Sequence, residues 1–342
     1  MAVSIDIGTC WLCSARQGAN NQIQVKSIRD AFLDVESDSA VKNMLTMSNV
    51  DYIESEDKLY IIGENALVMA RILNREVRRP MSKGVLAPGE LEAEKILLIL
   101  LENVMGRAQT PDEICFYSIP GNPLERELDI IYHQAMMSKL LAQLGYKGQA
   151  MNESAAIAYS SAAKEQFSAL TISAGAGMMN VCLMYKTMIG LSYSIINSGD
   201  WVDESAAKAV GSSAVRIQAL KEKGIDLMNP SDGDPKTLRE REAISIYYKS
   251  LILRLFDSLK DEFIKNKKAD FELPNAIPMI IAGGTSMAKN FLEFFKTAFD
   301  TVKDKFPIPI SEIRMSSGSS PLHSVAEGLL VAALNYEDQH KK

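Results

Sequence analysis

Val3-Ser4-Ile5-Asp6-Ile7 alternates as a short β-strand and stops on Gly8-Thr9; Ser168-Ala169-Leu170-Thr171-Ile172-Ser173 stops in the same way on Gly175-Ala176-Gly177. Two further strand-like runs follow each turn: 11–16 and 23–27 after the first, 180–185 and 190–196 after the second. Strand, glycine turn, strand, strand therefore occurs twice, about 170 residues apart. The repeat predicts an internal duplication of one α/β unit, with two related lobes facing each other.

The remaining segments fit around that frame. Residues 58–62 read as a strand and 64–74 as a helix. Residues 90–105 carry an almost continuous apolar body, which predicts a buried helix. A strand over 114–119 ends at Pro120-Gly121-Asn122-Pro123, and helices are expected over 124–144, 152–163 and 202–210. Ile244, Tyr248, Leu251, Leu255, Leu259 and Phe263 follow the helical period within 237–265. A third strand-then-glycine unit, 277–282 followed by Gly283-Gly284, is expected to open directly into a helix over 286–302. The phenylalanines of that helix, Phe291, Phe295 and Phe299, read as a core stripe. A small-residue helix over 324–334 closes the fold, and the polar stretch 338–342 is the one candidate for disorder.

Composition sets limits. The 342 residues suggest two domains, and 47% hydrophobic, 23% charged and 7% aromatic residues are ordinary for a globular protein. A net charge of −6 leaves no basic patch suited to nucleic acid. The opening residues have neither a basic n-region nor an apolar h-region, so a cytoplasmic location is expected. The longest purely apolar run, 96–101, is far short of the roughly 20 residues a membrane span takes. Cys10 and Cys13 form a lone C-x-x-C. A redox or zinc pair competes with the plainer reading of two thiols on opposite faces of an extended segment, and no second pair or nearby histidine supports it.

Glycine at the end of a strand lets backbone N–H groups approach an anion closely, and consecutive amides form an anion-binding nest. A single such turn is usually only a connection. Three turns at equivalent points of a repeated unit are a stronger signal. There is no G-x-x-x-x-G-K-[ST] and no G-x-G-x-x-G, because Gly175 and Gly177 are followed by Met178, Met179 and Asn180.

In this order the motifs resemble the actin-like ATPase superfamily. Asp6-Ile7-Gly8-Thr9 looks like its first phosphate motif, and Ser173 to Asn180 like its second. Asn152-Glu153-Ser154-Ala155-Ala156 and Ser324-Val325-Ala326-Glu327-Gly328 are similar to the two connecting helices. Ile280 to Ser286 is similar to the adenosine motif, and Ser198 to Asp203 resembles G-G-D-x-x-D. Length and layout look most like prokaryotic filament-forming actins of the MreB and MamK type.

The resemblance implies an α/β, ribonuclease H-like fold with duplicated lobes flanking a nucleotide cleft. Lobe I would span 1–150, with a core of about 1–30 and 80–150, a small subdomain of about 31–79, and the C-terminal helix 324–342 returning to it. Lobe II would span 151–323, with a core of about 151–200 and 270–323 and a small subdomain of about 201–269. ATP or ADP with Mg²⁺ is the implied cofactor. Asp6 would orient waters on the metal, and Glu153 would help position the attacking water. Gly8, Thr9, Cys10, Ser173, Gly175 and Gly177 would face the phosphates; Gln218 and Lys221 would lie near the ribose and base; Gly283, Gly284 and Thr285 would lie beside the adenosine. The implied partners are further copies of the chain in a filament, together with cargo or membrane-associated adaptor proteins.

Two departures bear on activity. Ser173 stands where the second motif usually has Asp, and Met178-Met179 replace a hydroxyl-bearing pair. Positioning and electrostatics supply most of the rate in phosphoryl transfer. The expectation is therefore a filament former with slow ATP hydrolysis; the alternative is a non-hydrolysing scaffold in which nucleotide is only a structural ligand.

Overall fold

A computed structural model of the chain describes residues 2–18, 20–111, 113–125, 130–265, 273 and 275–340. The first part contains β1 (Val3–Ile7), β2 (Trp11–Gln17), β3 (Ile23–Arg29), β4 (Phe32–Glu36), α1 (Ser39–Met47), β5 (Ile53–Ser55), β6 (Lys58–Ile62) and α2 (Glu64–Leu73). There follow β7 (Met81–Ser82), β8 (Val85–Leu86), α3 (Ala93–Met105), β9 (Glu113–Ile119), α4 (Ile130–Gln143), β10 (Tyr146–Asn152) and α5 (Glu153–Ser161). The second part contains β11 (Ala169–Ala174), β12 (Met179–Tyr185), β13 (Met188–Ile195), α6 (Gly199–Val210), α7 (Ala214–Glu222) and α8 (Leu238–Lys265). It ends with β14 (Ile277–Ala282), α9 (Phe291–Asp300), β15 (Ile310–Met315) and α10 (Ser324–His340).

The duplication is visible in the sheets. One five-stranded sheet runs β3-β2-β1-β9-β10 and the other runs β13-β12-β11-β14-β15. In both, the central strand pairs antiparallel with its hairpin partner and parallel with the strand on its other side. Parallel neighbours need a long crossover, and here the two halves differ. The first crossover carries the small sheet β4-β6-β5 with α1 and α2; the second carries α6, α7 and α8.

Side-chain tethers repeat with the same spacing. The Ser4 hydroxyl, within reach of Ala15 O, donates to Ala326 O at 2.7 Å; that of Thr171, within reach of Cys182 O, donates to Ser154 O at 2.7 Å. Each central strand thus holds one of the two helices α10 and α5, which pack on each other between the sheets. Ala155, Ala156, Ala158, Ala326 and Ala333 make this layer thin, and Ile157, Leu329 and Leu330 fill it. Small side chains let the backbones approach, and burial of the larger ones supplies about 25 cal/mol per Å² of apolar area removed from water.

Other expectations meet the structure in detail. α3 buries Ile96, Leu97, Leu100, Leu101 and Val104. Phe291 and Phe295 are buried, Phe299 packs against the same core, and Phe256 meets Phe295 edge to face with centroids 5.1 Å apart. Three boundaries need correction. The third glycine turn does not open a long helix: Gly284–Met287 forms one 3-10 turn, and α9 starts only at Phe291. The cause is local pairing, since Lys289 N donates to Ile225 O and Leu227 N donates to Lys289 O, which holds this stretch extended. The helix expected from 124 begins at Ile130 among the described residues, because 122–124 pair with β13 through Ser194 N to Asn122 O and Leu124 N to Ser194 O; residues 126–129 lie outside the described set. The closing helix runs on to His340 rather than ending at 334, leaving 341–342 undescribed. The boundary expected at 269–270 also falls outside the described residues. Among the described residues, no helix is long and apolar enough to cross a membrane.

Candidate functional site

The C-terminal ends of β1, β11 and β14 meet where the two sheets face each other. Between them lies a cavity of about 390 Å³, within the ordinary range for a small-molecule site. Every candidate catalytic, metal-holding or nucleotide-binding residue named from the sequence lines it. Asp6, Gly8, Thr9 and Cys10 come from β1 and its turn, and Glu153 from the head of α5. Ser173, Gly175 and Gly177 come from β11 and its turn, Gln218 and Lys221 from α7, and Gly283, Gly284 and Thr285 from the end of β14.

The two phosphate-type turns are built alike: Gly8 N donates to Trp11 O and Gly175 N to Met178 O, both at 3.1 Å. The second turn is also pinned to α6 and to the third turn. Gly175 O accepts from Ser198 Oγ, Gly199 N and Thr285 Oγ1, and Asp200 N donates to Ala176 O. The second and third turns are therefore one connected structure.

Acidic groups converge at the inner end. Asp6 Oδ1 accepts from Ser118 Oγ at 2.8 Å, and Ser118 Oγ in turn accepts from Ile7 N. Glu153 Oε1 accepts from Ser173 Oγ at 2.5 Å, and Oε2 accepts from Asn180 Nδ2 at 2.8 Å. Burial pushes the Asp6 carboxyl above its usual range against the pull of Ser118. Burial, and then the neighbouring Asp6 charge, push Glu153 up further against the pull of Ser173. Ser173 thus spends its hydroxyl proton on Glu153, and both oxygens of Glu153 are engaged.

A pH dependence follows. A carboxyl whose folded-state pKa is raised favours the fold while it keeps its proton, and that contribution is lost as pH rises through the raised value. Glu153→Gln mimics the protonated form, with its amide donating to Ser173 Oγ and its oxygen accepting from Asn180. Without nucleotide, the melting temperature of the wild type is expected to fall relative to Glu153→Gln by roughly 5 °C between pH 6 and pH 8.5. A difference constant with pH would contradict this account of the pair.

At the outer end, two ion pairs span the halves. Arg29, at the end of β3, makes a bidentate pair with Glu222 of α7 at 2.9 and 2.7 Å. Its guanidinium also donates to Cys10 Sγ and lies 4.4 Å from the centre of the Trp11 ring. Arg79 pairs with Asp200 of α6 at 3.1 Å. Lys221 donates to Asp203 Oδ2 at 2.6 Å and to Gly199 O at 3.0 Å, and Gln218 Nε2 donates to Glu222. The helix expected near the ribose and base is therefore at the cavity, with its polar groups tied to protein partners. Trp11, Arg29 and Glu222 line the cavity without having been singled out in the sequence. Cys10 and Cys13 are both buried free thiols, and no group of three His, Cys, Asp or Glu placed to hold a metal ion occurs among the described residues.

A family model described as Volactin matches residues 1–333. No curated protein matches the chain. Among solved structures, a MamK double helical filament is 15% identical over 99% of both chains, with a TM-score of 0.68. MreB 5 of Spiroplasma citri bound to AMPPNP is 15% identical, covering 99% of this chain and 98% of that one, with a TM-score of 0.65. The ethanolamine utilization protein EutJ from Carboxydothermus hydrogenoformans is 13% identical over 96% of this chain and 88% of its own, with a TM-score of 0.51. These likenesses establish the actin-like fold.

Proposed function

The chain belongs to the Volactin family, and on that premise we propose that it binds ATP or ADP with Mg²⁺ between its two halves and assembles with copies of itself into filaments. The observation that carries the reading is convergence: three glycine turns, the head of α5 and one face of α7, distant in sequence, line one cavity. The residues fit a divalent cation. Asp6 and Glu153 are two carboxyls drawn into one enclosed site, and neither makes an ion pair among the described residues. A nearby cation would offset the burial that raises both and the Asp6 charge that raises Glu153 further. Mg²⁺, when bound, neutralises phosphate charge.

The chain's own residues supply the rest. Asp6 holds the cation through water. Amides of Gly8, Thr9, Cys10, Gly175 and Gly177 receive phosphate oxygens. Gly283, Gly284 and Thr285 border the adenosine, Gln218 and Lys221 border the ribose and base, and Arg29 with Glu222 closes the outer end. Lobe I is taken as 1–150 with a subdomain of about 31–79, and lobe II as 151–323 with a subdomain of about 201–269. Copies of the chain are the main partner; cargo or adaptor proteins at a membrane surface would be secondary.

Hydrolysis is slow in this reading. Ser173 brings no charge, Met178 and Met179 bring no hydroxyl, and a proton-holding Glu153 is a poor base. Losing one aligned group costs roughly 3–4 kcal/mol of transition-state stabilisation. Occupation of both Glu153 oxygens also favours a second reading, a scaffold that binds nucleotide without turning it over. Phosphate release measured alongside filament formation by electron microscopy separates them: slow release that accompanies assembly supports the first, and assembly with no release supports the second. No filaments with ATP, with ADP or without nucleotide would remove both.

A further inference from the structure

We propose that Lys83 supplies the cation that meets the terminal phosphate of the bound nucleotide, so that it distinguishes a triphosphate from a diphosphate. The inference rests on the nucleotide reading above and adds a residue to it.

The phosphate end of the cavity has no basic side chain of its own. None occurs between Asp6 and Leu12 or between Ser173 and Met179. The basic residues that do line the cavity are Arg29 and Lys221, and both are already engaged, with Glu222 and Cys10 and with Asp203 and Gly199 O respectively. Arg79 is paired with Asp200. Asp6 brings a carboxylate to this end and Glu153 no positive charge, so a triphosphate would meet glycine amides and no cationic side chain.

The β7–β8 hairpin carries a lysine next to that place: Gly84 lines the cavity, and Lys83 precedes it in the turn. Lys83 and Gly84 form its turn, both left-handed at φ +49° and +77°, as a two-residue hairpin requires. Gly84 N donates to Thr9 Oγ1 at 2.9 Å, which fixes the turn to the first phosphate-type loop. The second loop touches it too: a Cβ on Gly177 would lie 2.8 Å from Gly84 N and 2.9 Å from Lys83 Cα. Gly177 is thus glycine because this hairpin presses on it. The hairpin base is held by Met81 N donating to Asp30 Oδ2 and Leu86 N donating to His133 Nδ1.

Lys83 is exposed and makes no hydrogen bond or ion pair among the described residues. Its stem reaches roughly 6 Å from Cα, enough to cover the space in front of Gly177. The left-handed backbone alone does not single it out, since Lys186 adopts φ +47° in the β12–β13 hairpin. Its position does: Lys83 sits against both phosphate-type loops with an uncommitted charge.

The test is calorimetric titration of the full chain with Mg²⁺-ATP and Mg²⁺-ADP, using Lys83→Asn and Lys83→Arg. Asn tolerates the left-handed backbone, so the turn keeps its shape without the charge. Lys83→Asn is expected to weaken ATP at least tenfold and ADP less than threefold, while Lys83→Arg stays within threefold of wild type for both. Equal losses for the two nucleotides, or none, would overturn the role of Lys83 and leave the cleft intact. A wild type that binds neither nucleotide would overturn the cleft reading and this inference together.

Discussion

Gly328→Ala is expected to lower the melting temperature by roughly 4–7 °C. Position 328 lies in the interior of α10, where glycine costs roughly 1 kcal/mol relative to alanine in backbone entropy. The helix accepts that cost because α5 crosses it there. A Cβ at 328 would lie 2.5 Å from the carbonyl carbon of Ala156, and nearer still to its oxygen. Neither helix can retreat freely, since Ser4 holds α10 at Ala326 and Thr171 holds α5 at Ser154. Overpacking of this kind, with backbone as the obstacle, is expected to cost roughly 3–5 kcal/mol. Gly89→Ala is the control: a Cβ there meets nothing within 4 Å, so its melting temperature should match wild type. Thermal unfolding followed by circular dichroism decides the matter, and a Gly328→Ala protein melting with the wild type would contradict this helix crossing.

Asp6→Ala is expected to weaken Mg²⁺-nucleotide binding at least 100-fold, about 2.7 kcal/mol, without unfolding the chain. Asp6 is the carboxyl that the first half brings to the cavity, where it would hold the proposed cation, and Ser118 orients it. Removing it also takes away the negative charge that helps raise Glu153. The Glu153 carboxyl should then titrate lower, and the pH dependence of stability should flatten above neutrality. Loss of binding with a flattened pH profile separates a role in the site from general damage. Affinity within threefold of wild type would show that the cation, if present, is held elsewhere.

Much of this architecture is legible in the sequence, for a physical reason. β1 and β11 are central strands that end on glycine, so their short apolar runs and sharp stops survive as local pattern. α3 and α8 are long enough for helical period to show. The connecting helices α5 and α10 are marked by small residues, because they cross closely. The apolar spacing of 286–302 suits a helix throughout, but strand-like pairing of 288–290 with 225–227 takes the first turn away. Strands such as β5, β7 and β8 are too short to show any period.

The cavity lining was legible in part. Glycines and the residues of the connecting helices announce themselves through backbone requirements. Arg29 and Glu222 carry no such mark: they are far apart in sequence, and only the fold brings them together. The engagement of Glu153 by Ser173 is similar. The sequence displays a serine where a carboxylate is usual, but not that its hydroxyl is turned to the neighbouring acid.

The most direct test is calorimetric titration of the wild-type chain with ATP in the presence of Mg²⁺ and again with EDTA. The cleft described here predicts one nucleotide per chain and at least tenfold weaker binding when the metal is removed. Absence of saturable binding at millimolar ATP, or binding indifferent to Mg²⁺, would contradict it.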